Sequence, residues 1–69
     1  MDMSKAIREG RDRLGMSQEA LAERLGVSRQ AVSKWESGTS DPSTSKLLAL
    51  AKLFGIDAKE LLDESKNAE

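Results

Sequence analysis

The sequence predicts an all-α domain, a compact bundle of five short helices, and three observations carry that expectation. Apolar residues recur at three- and four-residue spacing, and no run alternates with period two. Gly15, Gly26, Gly38 and Gly55 each close such a stretch, and a residue that tolerates the left-handed conformation ends a helix at little cost. Ser17, Ser28 and Asp57 stand where new stretches begin, and each side-chain oxygen can accept a hydrogen bond from an unpaired first-turn amide.

Taken in order, the first helix is expected over 5–14 and stops at Gly15. The second spans 18–25, capped by Ser17 and stopped by Gly26. The third spans 29–37, between Ser28 and Gly38. A loop from Thr39 to Ser43, holding Asp41 and Pro42, leads to a fourth helix over 44–54 that stops at Gly55. The fifth, over 58–64, starts from Asp57, and Glu60 three residues on gives that start the form of a capping box. Three starts also carry an apolar residue before the cap and another at the fourth helical position: Met16 with Leu21, Val27 with Val32, and Ile56 with Leu61. That is the hydrophobic staple, which fixes the angle at which the chain enters a helix. The division expected is a domain over 1–64 and a polar, frayed tail over 65–69.

A chain of 69 residues makes one domain and leaves little room for a wide catalytic cleft. With no Cys and no His, thiol chemistry, disulfides, thiolate metal sites and imidazole catalysis are excluded by inventory. Neighbouring carboxylates such as Asp63 and Glu64 lack any pocket-forming motif around them, and phosphate-loop and dinucleotide glycine signatures are absent. No enzyme, metal, cofactor or small-molecule ligand is therefore expected. The longest apolar run falls far short of the roughly 20 residues of a membrane span, and no signal-peptide core precedes the first helix. The expected setting is the cytoplasm, with no membrane partner. The net charge of −1 splits into +1 over residues 1–36 (seven Lys/Arg, six Asp/Glu) and −2 over 37–69 (four against six). Any affinity for nucleic acid must then come from local placement of charge, and its nonspecific part should be modest.

Local placement is most informative in the third helix, "RQAVSKWES". At about 100° per residue, Arg29, Ser33, Ser37, Gln30 and Lys34 fall within one arc of about 140°. Ala31, Val32 and Trp35 lie opposite, which makes the single Trp the anchor that pins this helix to the body. A polar arc alone is ordinary for an amphipathic helix. This one holds no carboxylate in a chain rich in them, and it offers two cations and an amide, the side chains that pair with base edges in the major groove. Glu36 lies at its border beside Val32, facing the body. The second helix, the three-residue turn Gly26, Val27, Ser28 and the third helix also match the helix-turn-helix plan, whose second helix enters the groove.

The stretches "MSQEALAERLGVSRQAVSKWESG" and "DPSTSKLLALAKLFGIDAKELL" resemble the Cro-like phage-repressor (xenobiotic response element) helix-turn-helix family, over residues 5–63. The resemblance implies a lambda-repressor-like domain of a transcriptional regulator, a repressor, that binds double-stranded operator DNA as a homodimer without a cofactor. Position by position, it implies that Ser28, Arg29, Gln30, Ser33 and Lys34 face the groove. It also implies that Gln18 touches a phosphate, and that the backbone and hydroxyls around Ser37, Thr39 and Ser40 approach phosphates again. Arg11 and Glu36 hold the positions of a structural ion pair. The main alternative is an antitoxin-like or other protein-interaction module on the same scaffold. One position departs from the family: Gly10 stands where a large apolar residue is usual. That leaves either Leu14 and Met3 to fill the space or a loosely held first helix, and Gly10→Ala is expected to raise stability by several tenths to about 1 kcal/mol.

Overall fold

The computed structural model describes residues 3–61. In chain order it places α1 (Met3–Arg13), α2 (Gln18–Leu25), α3 (Arg29–Ser37) and α4 (Thr44–Phe54). A fifth helix, α5, starts at 58 and reaches the last described residue, 61. Among the described residues there is no strand, and no helix is long and apolar enough to cross a membrane. Three helices have the bounds the sequence predicts. The first begins two residues early, at Met3, and ends at Arg13 instead of Leu14. The expected end of the last helix at 64 and the tail 65–69 lie outside the described residues.

Three of the four junctions use one apolar residue twice. The amide of Val27 donates to the carbonyl of Ala22 at 3.0 Å, closing α2 in the manner of a Schellman motif, and Val27 is also the residue before the Ser28 cap of α3. Met16 and Ile56 repeat the pattern, donating to Arg11 and Ala51 at 3.1 and 3.0 Å. Gly26 makes the α2–α3 turn possible because its backbone is left-handed, at φ 71°. The starts are held by side chains: Ser17 Oγ accepts from Ala20 N at 3.0 Å, Ser28 Oγ from Ala31 N at 3.2 Å, and Asp57 Oδ1 from Lys59 N at 3.0 Å. Ser43, not singled out by the sequence, caps α4 in the same way through Lys46 N.

The core draws a fully buried side chain from each helix: Ile7, Leu21, Val32, Leu50 and Leu61. Trp35 is buried among them at 6% exposure, as the anchor role requires. α3 packs chiefly on α2 and α1, and α4 closes the bundle against the same two helices.

Gly10 corrects the sequence-based expectation. Its position is buried, but neither a cavity nor Leu14 accounts for it, since Leu14 is 47% exposed. The ring of Phe54 lies directly on the glycine: a Cβ there would sit 2.6 to 2.8 Å from ring atoms Cδ2, Cε2 and Cγ. Those distances are far inside van der Waals contact. The missing side chain of α1 is replaced by an aromatic ring from α4, and the glycine is what admits it.

Gly10→Ala should therefore lower stability. The clash of an overpacked core costs about 1–3 kcal/mol, against at most about 1 kcal/mol gained in helix propensity. Urea denaturation should show a net loss, and Phe54→Leu in the same chain should recover part of it. A rise in the urea midpoint for Gly10→Ala alone would contradict this packing.

Candidate nucleic-acid interface

Burial on α3 follows its wheel. Val32 and Trp35 turn inward, while Arg29, Gln30, Lys34 and Ser37 are exposed, as is the cap residue Ser28, and Ser33 is half-buried. Among the described residues, the side chains of Arg29, Gln30 and Lys34 make no hydrogen bond or ion pair. The helix thus presents two cations and a primary amide, all without partners, on one solvent-facing arc.

Glu36 is the one buried charged residue of α3, at 8% exposure, and it organises the site from behind. Arg11 Nε donates to its Oε2 at 2.7 Å, and Arg11 Nη2 to its Oε1 at 3.1 Å. Gln18 Nε2 donates to the same Oε1 at 3.1 Å. Arg11 Nη1 also donates to the carbonyl of Met16 at 2.9 Å. One carboxylate therefore ties together α1, α2 and α3. Burial pushes the Glu36 carboxyl up, but the hydrogen bonds from Arg11 and Gln18, with the positive charges of Arg11 and the nearby Arg8, outweigh it and hold the group below its ordinary range. The hydrogen bond to Glu36 raises Arg11 in turn, against the opposing effect of burial. Both shifts favour the charged pair.

Two of the groups expected at the DNA backbone also bond within the domain. The Gln18 side-chain amide gives one of its two donors to Glu36. The Ser17 cap takes the third amide of α2 and leaves those of Gln18 and Glu19 at the open helix start, a position that attracts anions. Beyond α3, the amides of Thr39 and Ser40 do not point outward. They donate to the Lys34 carbonyl at 2.9 and 3.3 Å, because they terminate the helix after the left-handed Gly38, at φ 81°. Only the hydroxyls of this segment face solvent. Ser37 Oγ donates to Lys34 O at 3.2 Å and pairs with Thr39 Oγ1 at 2.8 Å. Ser40 is exposed.

The helix-turn-helix sequence pattern matches residues 7–61, most of the chain. The chain belongs to the helix-turn-helix family. One relative is the HTH-type transcriptional activator BcrR of Enterococcus faecalis, 40% identical over 62 residues that cover 90% of this chain and 30% of the activator. Another is repressor protein C2 of Salmonella phage P22, 42% identical over 60 residues, 87% of this chain and 28% of the repressor. The chain thus spans less than a third of the length of either. Among solved structures, the P22 c2 repressor in complex with a synthetic operator superposes with a TM-score of 0.82 at 36% identity, covering 88% of this chain and 92% of that one. The family match and the superposition each cover most of the chain.

Removing one member of the Arg11–Glu36 pair strands a buried charge, which costs about 3–5 kcal/mol when the partner is fully enclosed. With Arg11 partly open to solvent, at 15% side-chain exposure, a loss of about 2–3 kcal/mol is expected for Arg11→Met. A double-mutant cycle with Glu36→Gln in urea should give coupling above about 1 kcal/mol; coupling near zero would show that the two groups do not support each other. The pH dependence has a defined sign. The native Glu36 carboxyl lies below its ordinary 4.5, so its stabilisation is fully present above that value and is lost as pH falls through the lower native one. Glu36→Gln should flatten the acid limb of the stability curve.

Proposed function

We propose that this chain is a sequence-specific DNA-binding transcriptional regulator that acts in the cytoplasm and inserts α3 into the major groove of double-stranded operator DNA. The observation that carries the reading is the exposed arc of Arg29, Gln30 and Lys34, free of partners and of carboxylates, on a helix whose other side is locked into the core. Gln30, on the first turn of α3, is assigned to a base edge, where its amide can pair bidentately with adenine. Arg29 and Lys34 suit either guanine or a phosphate, and Ser28 and Ser33 complete the groove-facing set. Gln18, with the open amides at the start of α2, and the hydroxyls of Ser37, Thr39 and Ser40 are assigned to the DNA backbone.

The likeness to a repressor solved on its operator supports this reading. So does the identity with regulators of both signs, an activator and a repressor. Relatives of opposite sign share this domain, so the sign of regulation is set by contacts made beyond the reading helix. We assign repression by occupancy of an operator, the sign of the operator-bound repressor that this domain resembles. One recognition helix reads only a few base pairs, so a homodimer on two half-sites about 34 Å apart is the working assembly.

Selection of bound sites from a random duplex library supplies the operator. On that site, Gln30→Ala should weaken binding by about 1–3 kcal/mol while leaving a scrambled duplex nearly unaffected. Gln18→Ala should weaken both. Equal losses on the two duplexes for Gln30→Ala, or none, would remove the reading-head role and favour a protein-interaction module. In the same titrations two chains should bind each selected site; a one-to-one complex would contradict the dimer.

A further inference from the structure

α4, with the sequence TSKLLALAKLF, buries Leu47, Leu50, Ala51 and Phe54. Ala49 and Leu53 are half-buried at the edge of the core. Between this edge and the last turn of α2 lies a shallow groove of about 380 Å³ lined by Arg24, Leu25, Ala49, Lys52 and Leu53. Lys46 Nζ donates to the carbonyl of Leu25 at 3.0 Å and ties the two walls together.

The charge of the groove is one-sided. Its floor is Leu25, Ala49 and Leu53, both rim residues are exposed cations, and no carboxylate lines it. Arg24 and Lys52 have no hydrogen-bonding or ionic side-chain partner among the described residues. Each sits in the last turn of its helix, where a cation complements the helix dipole. That accounts for one cation per helix end; between them Ala49 and Leu53 pack on the core and stay partly open to solvent.

We propose that this groove docks an acidic amphipathic helix of a partner protein, with apolar side chains at three- and four-residue spacing on Leu25, Ala49 and Leu53 and flanking carboxylates on Arg24 and Lys52. DNA is a poorer occupant, because phosphates gain nothing from an apolar floor and no lining residue belongs to α3. A second copy across a twofold axis would set this patch against itself and bring like cations together. The inference stands on the groove alone and does not depend on how α3 reads DNA.

The test titrates ¹⁵N-labelled protein with a synthetic helical peptide carrying leucines at three- and four-residue spacing and glutamates on both flanks. A second peptide has lysine in place of each glutamate. The acidic peptide should shift the amides of Leu25, Ala49 and Leu53, and Arg24→Glu with Lys52→Glu should weaken it about tenfold or more while the lysine peptide gains on that variant. Both substitutions reverse an exposed cation at a helix end, so a small fall in melting temperature is expected, while the preference for the selected operator over a scrambled duplex should be unchanged. Equal shifts from both peptides, or shifts centred elsewhere, would overturn the proposal. So would groove resonances that broaden with protein concentration before any peptide is added, which would assign the face to a second copy.

Discussion

The Glu36 carboxylate is the constraint on which the rest of the arrangement depends. A buried charge is tolerated only where its lone pairs are satisfied and an opposite charge lies close. Here Arg11 supplies two donors and Gln18 a third. Those donors come from the two helices on which α3 packs. Satisfying the carboxylate therefore fixes the rotation of α3 about its own axis: Glu36, Val32 and Trp35 must face inward, and the arc from Arg29 to Lys34 is left outward. The buried acid removes from the exposed arc the one kind of charge that would repel phosphate.

Short connections enforce the same geometry. Because Val27 ends α2 and also precedes the cap of α3, there is little freedom in the turn between them. With Met16 and Ile56 repeating the device, three of the four connections in the bundle are stapled on both sides. A stability built this way is local and inexpensive, which suits a domain whose core is small. The exception is the longer segment from Thr39 to Ser43, next to the reading helix, where the bonds that close α3 consume the amides and leave hydroxyls.

Helix ends were legible in the sequence because Gly, Ser and Asp act on their nearest neighbours, and the bounds of α2, α3 and α4 follow from them. Ser43 does not stand out as the cap of α4, because Thr44 and Ser45 beside it offer the same hydroxyl. The start of α1 is ambiguous in the sequence, because Asp2 and Ser4 are both favoured cap types and stand just before the observed start at Met3 and the expected one at Lys5. What the sequence did not disclose depends on contacts between distant residues. Nothing near Gly10 announces the Phe54 ring that rests on it, and helix propensity alone points to the opposite sign for its substitution. The bond from Gln18 to Glu36 spans eighteen residues and exists only at the angle α2 makes with α3. The pair of Arg11 and Glu36 follows from the family resemblance; the wheel alone shows only that Glu36 faces the body.

The central claim is that the outward arc of α3 is the surface that meets DNA. Chemical-shift mapping of labelled protein on its selected duplex tests it most directly, since it reports every residue at once. The account predicts perturbations concentrated at Ser28 to Lys34, with weaker ones at Gln18, Thr39 and Ser40, and none along the α2–α4 groove. Perturbations centred on Arg24, Ala49 and Lys52, with the α3 arc unmoved, would contradict it.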